Sequence, residues 1–191
     1  MTYKDCLEIF NISDILDLPR AVMNVVTSPP EIRDEVYRKL LKTNSYDLSY
    51  DWFQEVFEAE MSEGKRKGQH FTPPEIYSLI SSLADVDGSI HEPAAGNGGL
   101  IIVKWWYDTH RVSPWRYKPS NHKIVAVDLS DRSIPLLLLN LSIRGIVGSV
   151  YHGNAIENEF KARYILINKD DNPIGFSDVV LDNNFKLKID Y

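Results

Sequence analysis

From residue 70 onward the chain alternates short apolar strands with helix-length segments, and this pattern most constrains its fold. Ser89–Glu92 reads as a short strand, Gly98–Asp108 as a helix, and Lys123–Asp128 (Lys-Ile-Val-Ala-Val-Asp) as a strongly apolar strand. Ser133–Arg144 is a leucine-rich helix and Val150–His152 a third short strand. Strand, helix, strand, helix, strand is the order of a parallel sheet covered by helices, because parallel neighbours need a crossover between them. Thr72–Ala84 reads as a helix ahead of the first strand, opened by Thr72-Pro73-Pro74-Glu75. The expected class is therefore α/β, with a Rossmann-like sheet ending after its third or fourth strand.

The first third of the chain has a different pattern. Ser13 is expected to cap a helix over Asp14–Val26. Ser28-Pro29-Pro30 breaks that helix and opens another, with Glu31, Asp34 and Glu35 at the positive end of its dipole. Ile32, Val36, Leu40 and Leu41 share one face of it. A third helix starts at Asp51, with Trp52, Phe53, Val56 and Phe57 as its apolar stripe. Gly64–Gly68 is a polar, glycine-bounded linker. The expected division is a helical extension over residues 1–63 and an α/β domain over 64–191.

Composition excludes several classes. The chain has 191 residues, 43% hydrophobic and 25% charged, so it can bury a core without disulfide or metal staples. Cys6 is the single cysteine, which rules out an internal disulfide and a multi-cysteine zinc site. The histidines have no metal-ligand spacing. No apolar run reaches the ~20 residues of a membrane span, and Met1–Phe10 lacks the apolar core of a secretory signal. A cytoplasmic setting is expected. The net charge is −6, against the basic face of a protein that grips DNA alone. The compact basic run Lys65-Arg66-Lys67 reads as a solvated loop.

The chemistry concentrates in His91-Glu92-Pro93-Ala94-Ala95-Gly96-Asn97-Gly98-Gly99. This glycine-rich loop leaves a strand and enters a helix, at the strand end where open α/β sheets bind ligands. Glycines allow close approach of the backbone, and the helix start offers unpaired N–H groups. Asp128 ends the next strand, where a carboxylate can accept from both hydroxyls of a ribose. Gly96 and Asp128 are 32 residues apart, against the usual ~20. The excess fits an inserted loop over Trp105–Asn121. From periodicity alone, a tight turn with no ligand explains the glycines equally well.

Two motifs together resemble the N6-adenine DNA methyltransferases: Gly68-Gln69-His70-Phe71-Thr72-Pro73-Pro74, followed by Glu92-Pro93-Ala94-Ala95-Gly96-Asn97-Gly98-Gly99. The likeness is to modification subunits of type I restriction systems and to short phage or mobile-element relatives, over about residues 50–155. It implies S-adenosylmethionine as cofactor. Phe71, Thr72 and Pro73, with His70 beside them, would lie at its methionine end. Glu92, Pro93, Ala94, Gly96, Asn97 and Gly98 would wrap the methionine and ribose. Asp128, with Leu129, would take the ribose hydroxyls. Asn154 and Ala155 would address the adenine, although the family usually has Asp where this chain has Asn154. An amide can still donate to a ring nitrogen and accept from an amine.

The family holds its target base with Asn or Asp, two prolines and an aromatic residue, and no intact copy of that tetrapeptide is present. Asn172-Pro173-Ile174-Gly175 lacks the second proline and the aromatic. Asp182-Asn183-Asn184-Phe185 keeps a polar first residue and the aromatic but loses both prolines. Asn-Pro-x-Gly is also a good β-turn, and a hairpin joining Tyr164–Asn168 to Phe176–Leu181 is the expected structure. Two functions are open: methyl transfer to adenine in DNA, or a cofactor-binding module acting through a partner protein or a homodimer. Six residues follow Phe185, so reading of DNA sequence is expected from the N-terminal helices, the insertion or a partner chain. In the insertion, Trp105, Trp106, Tyr107, Trp115 and Tyr117 alternate with Lys104, Arg111, Arg116 and Lys118. They suit either base stacking or, the preferred reading, packing and subunit contact. His91 is expected to be packed.

Overall fold

A computed structural model of the chain describes residues 1–54, 56, 88–113 and 116–185. Its elements are α1 (Tyr3–Phe10), a 3₁₀ turn (Ile15–Asp17), α2 (Leu18–Val26), α3 (Pro30–Thr43), β1 (Ile90–Glu92) and α4 (Gly99–Val112). A second 3₁₀ turn (Pro119–Asn121), β2 (Ile124–Asp128), α5 (Ser133–Ser142), β3 (Gly148–Asn154), β4 (Glu159–Ile167) and β5 (Asp178–Leu181) follow.

The strands form one sheet in the order β1-β2-β3-β4-β5. The first three run parallel, as the crossover pattern requires. β4 turns back antiparallel to β3, and β5 pairs antiparallel with β4, which is the expected hairpin. One rung crosses all five strands through Glu92, Ala126, Val150, Tyr164 and Leu181. Gly148 begins β3 at φ +151°, and a Cβ there would sit 2.0 Å from the Ile124 carbonyl oxygen, so the close pairing of β2 with β3 requires glycine.

α5 is buried at every position from Ser133 to Ser142. A helix apolar all round needs cover all round. The N-terminal helices supply part of it: α2 packs along α5, and one apolar cluster joins Cys6, Phe10, Leu18, Val22 and Leu40 to Leu136–Leu139, Ala126 and Val150. The division expected near residue 63 lies outside the described residues.

Local chemistry explains where these elements begin. α1 falls within the expected helical extension, and Thr2 and Asp5 close a capping box on it. Asp14 rather than Ser13 caps the next segment, accepting from the Leu16 N–H, and Pro19 restarts the helix as α2. In α3 the buried face is Arg33, Tyr37 and Leu40, with Val36 and Leu41 partly buried against the core as expected; only Ile32 of the expected stripe departs, at 57% exposed. Arg33 leaves the helix to meet Asp178 of β5 at 2.6 Å. The Tyr37 hydroxyl lies 2.5 Å from the Ser142 hydroxyl, fully buried. Ser142 can still donate to the Leu139 carbonyl when that partner goes. Tyr37→Phe is therefore expected to cost about 1 kcal/mol, the net worth of one buried neutral hydrogen bond, read as a lower urea midpoint at unchanged slope.

The helix expected over Gly98–Asp108 forms as α4 and runs on to Val112, so Trp105, Trp106 and Tyr107 belong to it and the inserted segment starts later than Trp105. Trp105 and Tyr117 are buried, and Tyr117 stacks on His122 with ring centres 4.6 Å apart. Packing, not base stacking, accounts for these two rings. Trp115 lies outside the described residues. Among the described residues no helix is long and apolar enough to cross a membrane, and no group of three or more potential ligands could hold a metal. Cys6 is buried and its thiol pushed up to about 12 by desolvation, so it is no nucleophile at neutral pH.

Candidate functional site

Three parallel strands end side by side at one edge of the sheet. Glu92 ends β1, Asp128 ends β2 and Asn154 ends β3. The glycine bend leaves β1 through Pro93 and Ala94, both exposed, and reaches the start of α4. The Glu92 carboxylate accepts the Ala94 N–H at 3.2 Å, which turns the chain out of the strand. The Ala95 N–H then donates to the Val127 carbonyl at 2.9 Å, and the Gly98 N–H to the Ala95 carbonyl at 2.8 Å.

The bend needs its glycines for different reasons. Gly96 has φ +54° and Gly98 φ +93°, both left-handed. A Cβ on Gly98 would meet Leu137 Cδ1 at 2.9 Å, so this glycine also lets the bend lie close on α5. At Gly96 none of the described residues lies within 4 Å of the added carbon. Among the described residues, that side of the bend is open to a ligand.

Asp128 holds the bend shut from the next strand. One carboxylate oxygen accepts the Gly96 N–H at 2.7 Å and the other the Ser130 N–H at 2.8 Å. Each oxygen carries a second lone pair, so the carboxylate can still accept two hydroxyls. Leu129 beside it is 58% exposed, an apolar surface at the strand end. The Asn154 side-chain oxygen accepts the Ile156 and Glu157 N–H groups at 3.0 and 3.3 Å. Its NH₂ end is then the group able to address a ring nitrogen. A cleft of about 460 Å³ opens beside Leu129 at the turn from β3 into β4, lined also by Gly153, Asn154, Glu157, Glu159, Phe160 and Lys161. Asp131 faces both His152 Nε2 and Lys161 Nζ, each at 3.2 Å, beside this cleft.

The structure thus brings together Glu92, Pro93, Ala94, Gly96, Asn97, Gly98, Asp128, Leu129, Asn154 and Ala155. His70, Phe71, Thr72 and Pro73 lie outside the described residues. Two features differ from the sequence reading. His91 is exposed rather than packed. Asn97 is buried, its side-chain nitrogen near Asp51 without a hydrogen bond of ordinary length, so it faces inward rather than toward a ligand.

Neither candidate for the base-holding loop sits beside the bend. Asn172 and Pro173 form the turn between β4 and β5, at the opposite end of the strands from Glu92. There the Asn172 side chain accepts the Ile174 N–H at 3.0 Å and its own N–H is held by Asn168, as in an ordinary turn. Asp182 does emerge at the right end, one residue past the rung that holds Glu92. It stands four strands away, roughly 19 Å at ~4.8 Å per strand. Its carboxylate accepts from the Asn184 N–H at 3.0 Å and faces Arg163 at 3.4 Å. Phe185 packs edge-on to Tyr151 at 5.5 Å rather than standing free.

Against known proteins, the family described as N-6 DNA Methylase matches residues 46–185, well over half of the sequence. The chain belongs to the N-6 DNA methylase family. The Type I restriction enzyme HindI methylase subunit of Haemophilus influenzae is 32% identical to this family member over 99 residues, 51% of this chain and 21% of that protein. The Type I restriction enzyme MjaVII methylase subunit of Methanocaldococcus jannaschii is 25% identical over 150 residues, 73% of this chain and 25% of that protein. The methylase-family chain thus spans a quarter or less of the length of these relatives. The matched interval contains the whole sheet and the bend, and begins just before the segment Asp47–Phe53, which packs beneath them.

Sequence reasoning missed three polar residues behind this edge: Asp51, Ser130 and Asn140. For Asn140 a signal existed, since one amide interrupts Leu136-Leu137-Leu138-Leu139-Asn140-Leu141. A polar residue inside a fully apolar helix must find a partner.

Proposed function

We propose that this chain is the cofactor-holding part of a DNA adenine-N6 methyltransferase, binding S-adenosylmethionine across the ends of β1, β2 and β3. The observation that supports it is the Gly96–Asp128 clasp: a left-handed glycine with no described residue against its outer side, held by a carboxylate with lone pairs to spare. In this reading Glu92, Pro93, Ala94, Gly96 and Gly98 hold the methionine end, with His70, Phe71, Thr72 and Pro73 closing over it. Asn97 supports the bend from within. Asp128 binds the ribose hydroxyls, Leu129 covers the sugar, and Asn154 and Ala155 address the adenine.

S-adenosylmethionine, when bound, supplies a methyl group on a sulfonium that leaves readily. The protein's part is therefore orientation and exclusion of water rather than acid–base work. The adenine of DNA must be turned out of its stack to be reached. With a net charge of −6, this chain would grip DNA weakly alone, in the cytoplasm, and a partner subunit or a second copy would supply the rest of the grip.

A second reading, a cofactor-binding module without transfer of its own, rests on the distance of Asp182 and Phe185 from the bend. One experiment separates the two. The pure chain is titrated with S-adenosylmethionine by calorimetry, then incubated with the tritiated compound and mixed-sequence DNA. Label on adenine supports the enzyme. Binding with no incorporation leaves the module. No binding rejects both.

A further inference from the structure

The buried amide of Asn140 connects three segments that are far apart in sequence. Asn140 is wholly inaccessible on α5, and its Nδ2 donates twice: to the Asp51 carboxylate at 2.9 Å and to the Asn97 carbonyl at 2.9 Å. Both amide hydrogens are thus committed. Its Oδ1 accepts from Arg144 Nη1 at 3.2 Å, so the side chain is held in one orientation. Asp51 in turn accepts the Phe53 N–H at 3.0 Å with the same oxygen. Burial pushes the Asp51 carboxyl up, and the Phe53 N–H and the Asn140 amide oppose that rise. The carbonyl that Asn140 holds belongs to the residue between the two left-handed glycines.

We propose that Asn140 is a positioning residue: its amide fixes the peptide between Asn97 and Gly98, and so sets the shape of the bend from behind. A carbonyl pinned at that point fixes the plane of the peptide whose nitrogen is Gly98. No ligand needs to touch Asn140 or Asp51 for either to govern binding. An apolar residue of the same shape would pack equally well in α5 but leave the Asn97 carbonyl buried without a partner. The amide is there for the bend, not for the helix.

Two variants isolate that bond. Asp51→Asn keeps an acceptor for Asn140 and leaves the tie to Asn97 intact. Asp51→Asn combined with Asn140→Asp reverses donor and acceptor across the 51–140 pair. That bond survives, and the new carboxylate at position 140 still accepts from Arg144. Position 140 then has no hydrogen to give the Asn97 carbonyl. Amide exchange of Gly96 and Gly98 is read by NMR in both variants, together with their thermal midpoints. The double variant is expected to exchange these amides at least ~10-fold faster than Asp51→Asn, at midpoints within a few degrees of each other, as losing one bond at the bend requires. Equal exchange overturns the assignment. Should the double variant not fold, the unaltered protein decides. There the Asn140 side-chain NH₂ protons should exchange as slowly as the Gly98 amide, and rapid exchange overturns it.

The consequence for the cofactor rests on the function proposed above. The same two variants are expected to differ at least tenfold in affinity for S-adenosylmethionine. If the unaltered chain binds none while the exchange contrast holds, the cofactor reading fails and the positioning role stands. If it binds well and the two variants bind alike, the positioning role has no bearing on the ligand and the proposal fails in that respect.

Discussion

Replacing Arg144 by leucine is expected to destabilise the protein by about 3–5 kcal/mol, the cost of removing one member of a buried charged network. Arg144 is 1% exposed and follows α5 directly. Its guanidinium donates to the carbonyls of Leu48 at 2.9 Å, Tyr50 at 2.7 Å and Asn140 at 2.7 Å, and lies 5.2 Å over the Trp52 ring. Burial pushes it down to about 9, which leaves it charged at neutral pH. Leucine fills part of the space but supplies no donor, so three carbonyls lose their partner and Asp51 loses a nearby positive charge. In a chain of this length each kcal/mol moves the midpoint by ~2–4 °C, so a fall on the order of 10 °C is expected in a thermal melt followed by circular dichroism. A shift under ~3 °C would mean that the segment Leu48–Trp52 is held by other contacts. Arg144→Lys should recover little, because one ammonium cannot span three carbonyls in different directions.

The second large effect concerns Asp128. On the cofactor reading, Asp128→Ala removes the ribose acceptor and also frees the Gly96 and Ser130 N–H groups that the carboxylate now holds. Hydrogen bonds to a charged group are worth about 1.5–3 kcal/mol each, so affinity for S-adenosylmethionine should fall at least ~100-fold. Asp128→Asn should lose roughly tenfold, because its one remaining oxygen can accept from only one of the two N–H groups and its NH₂ opposes the other. Titration calorimetry on the three proteins checks both figures. Unchanged affinity in Asp128→Ala would remove this residue from the site and with it the clasp on which the functional reading depends.

The sequence made the sheet legible where period and chemistry agreed. Ile124–Asp128 is an uninterrupted apolar run with a carboxylate at its end, and it became the strand between β1 and β3. Asn172-Pro173-Ile174-Gly175 carried turn residues in turn positions, and it became a turn. The boundary of the inserted segment was not legible, because α4, expected to end at Asp108, extends to Val112 and buries Trp105. The first helix was expected only as part of a helical extension and without bounds, because its start depends on a reciprocal pair, Thr2 and Asp5, rather than on an apolar stripe. In the candidate site, the ligand-facing glycines and Asp128 could be read from motif and spacing. Asp51 could not, and the amide that interrupts the leucine run at Asn140 signalled only the need for a partner, since the partners lie across 43 and 89 residues of sequence. No local pattern encodes such contacts.

α5 has no outward side. Each of its ten positions is enclosed, and α2 lies along it. On most helices of a protein this size, half the surface is free to vary because water accepts nearly any polar residue. Here variation has no such outlet. A volume gained on α5 must be given up by a neighbour, and the neighbours belong to the N-terminal helices as well as to the sheet. The two ends of the molecule, which look independent in sequence, can therefore change only in step.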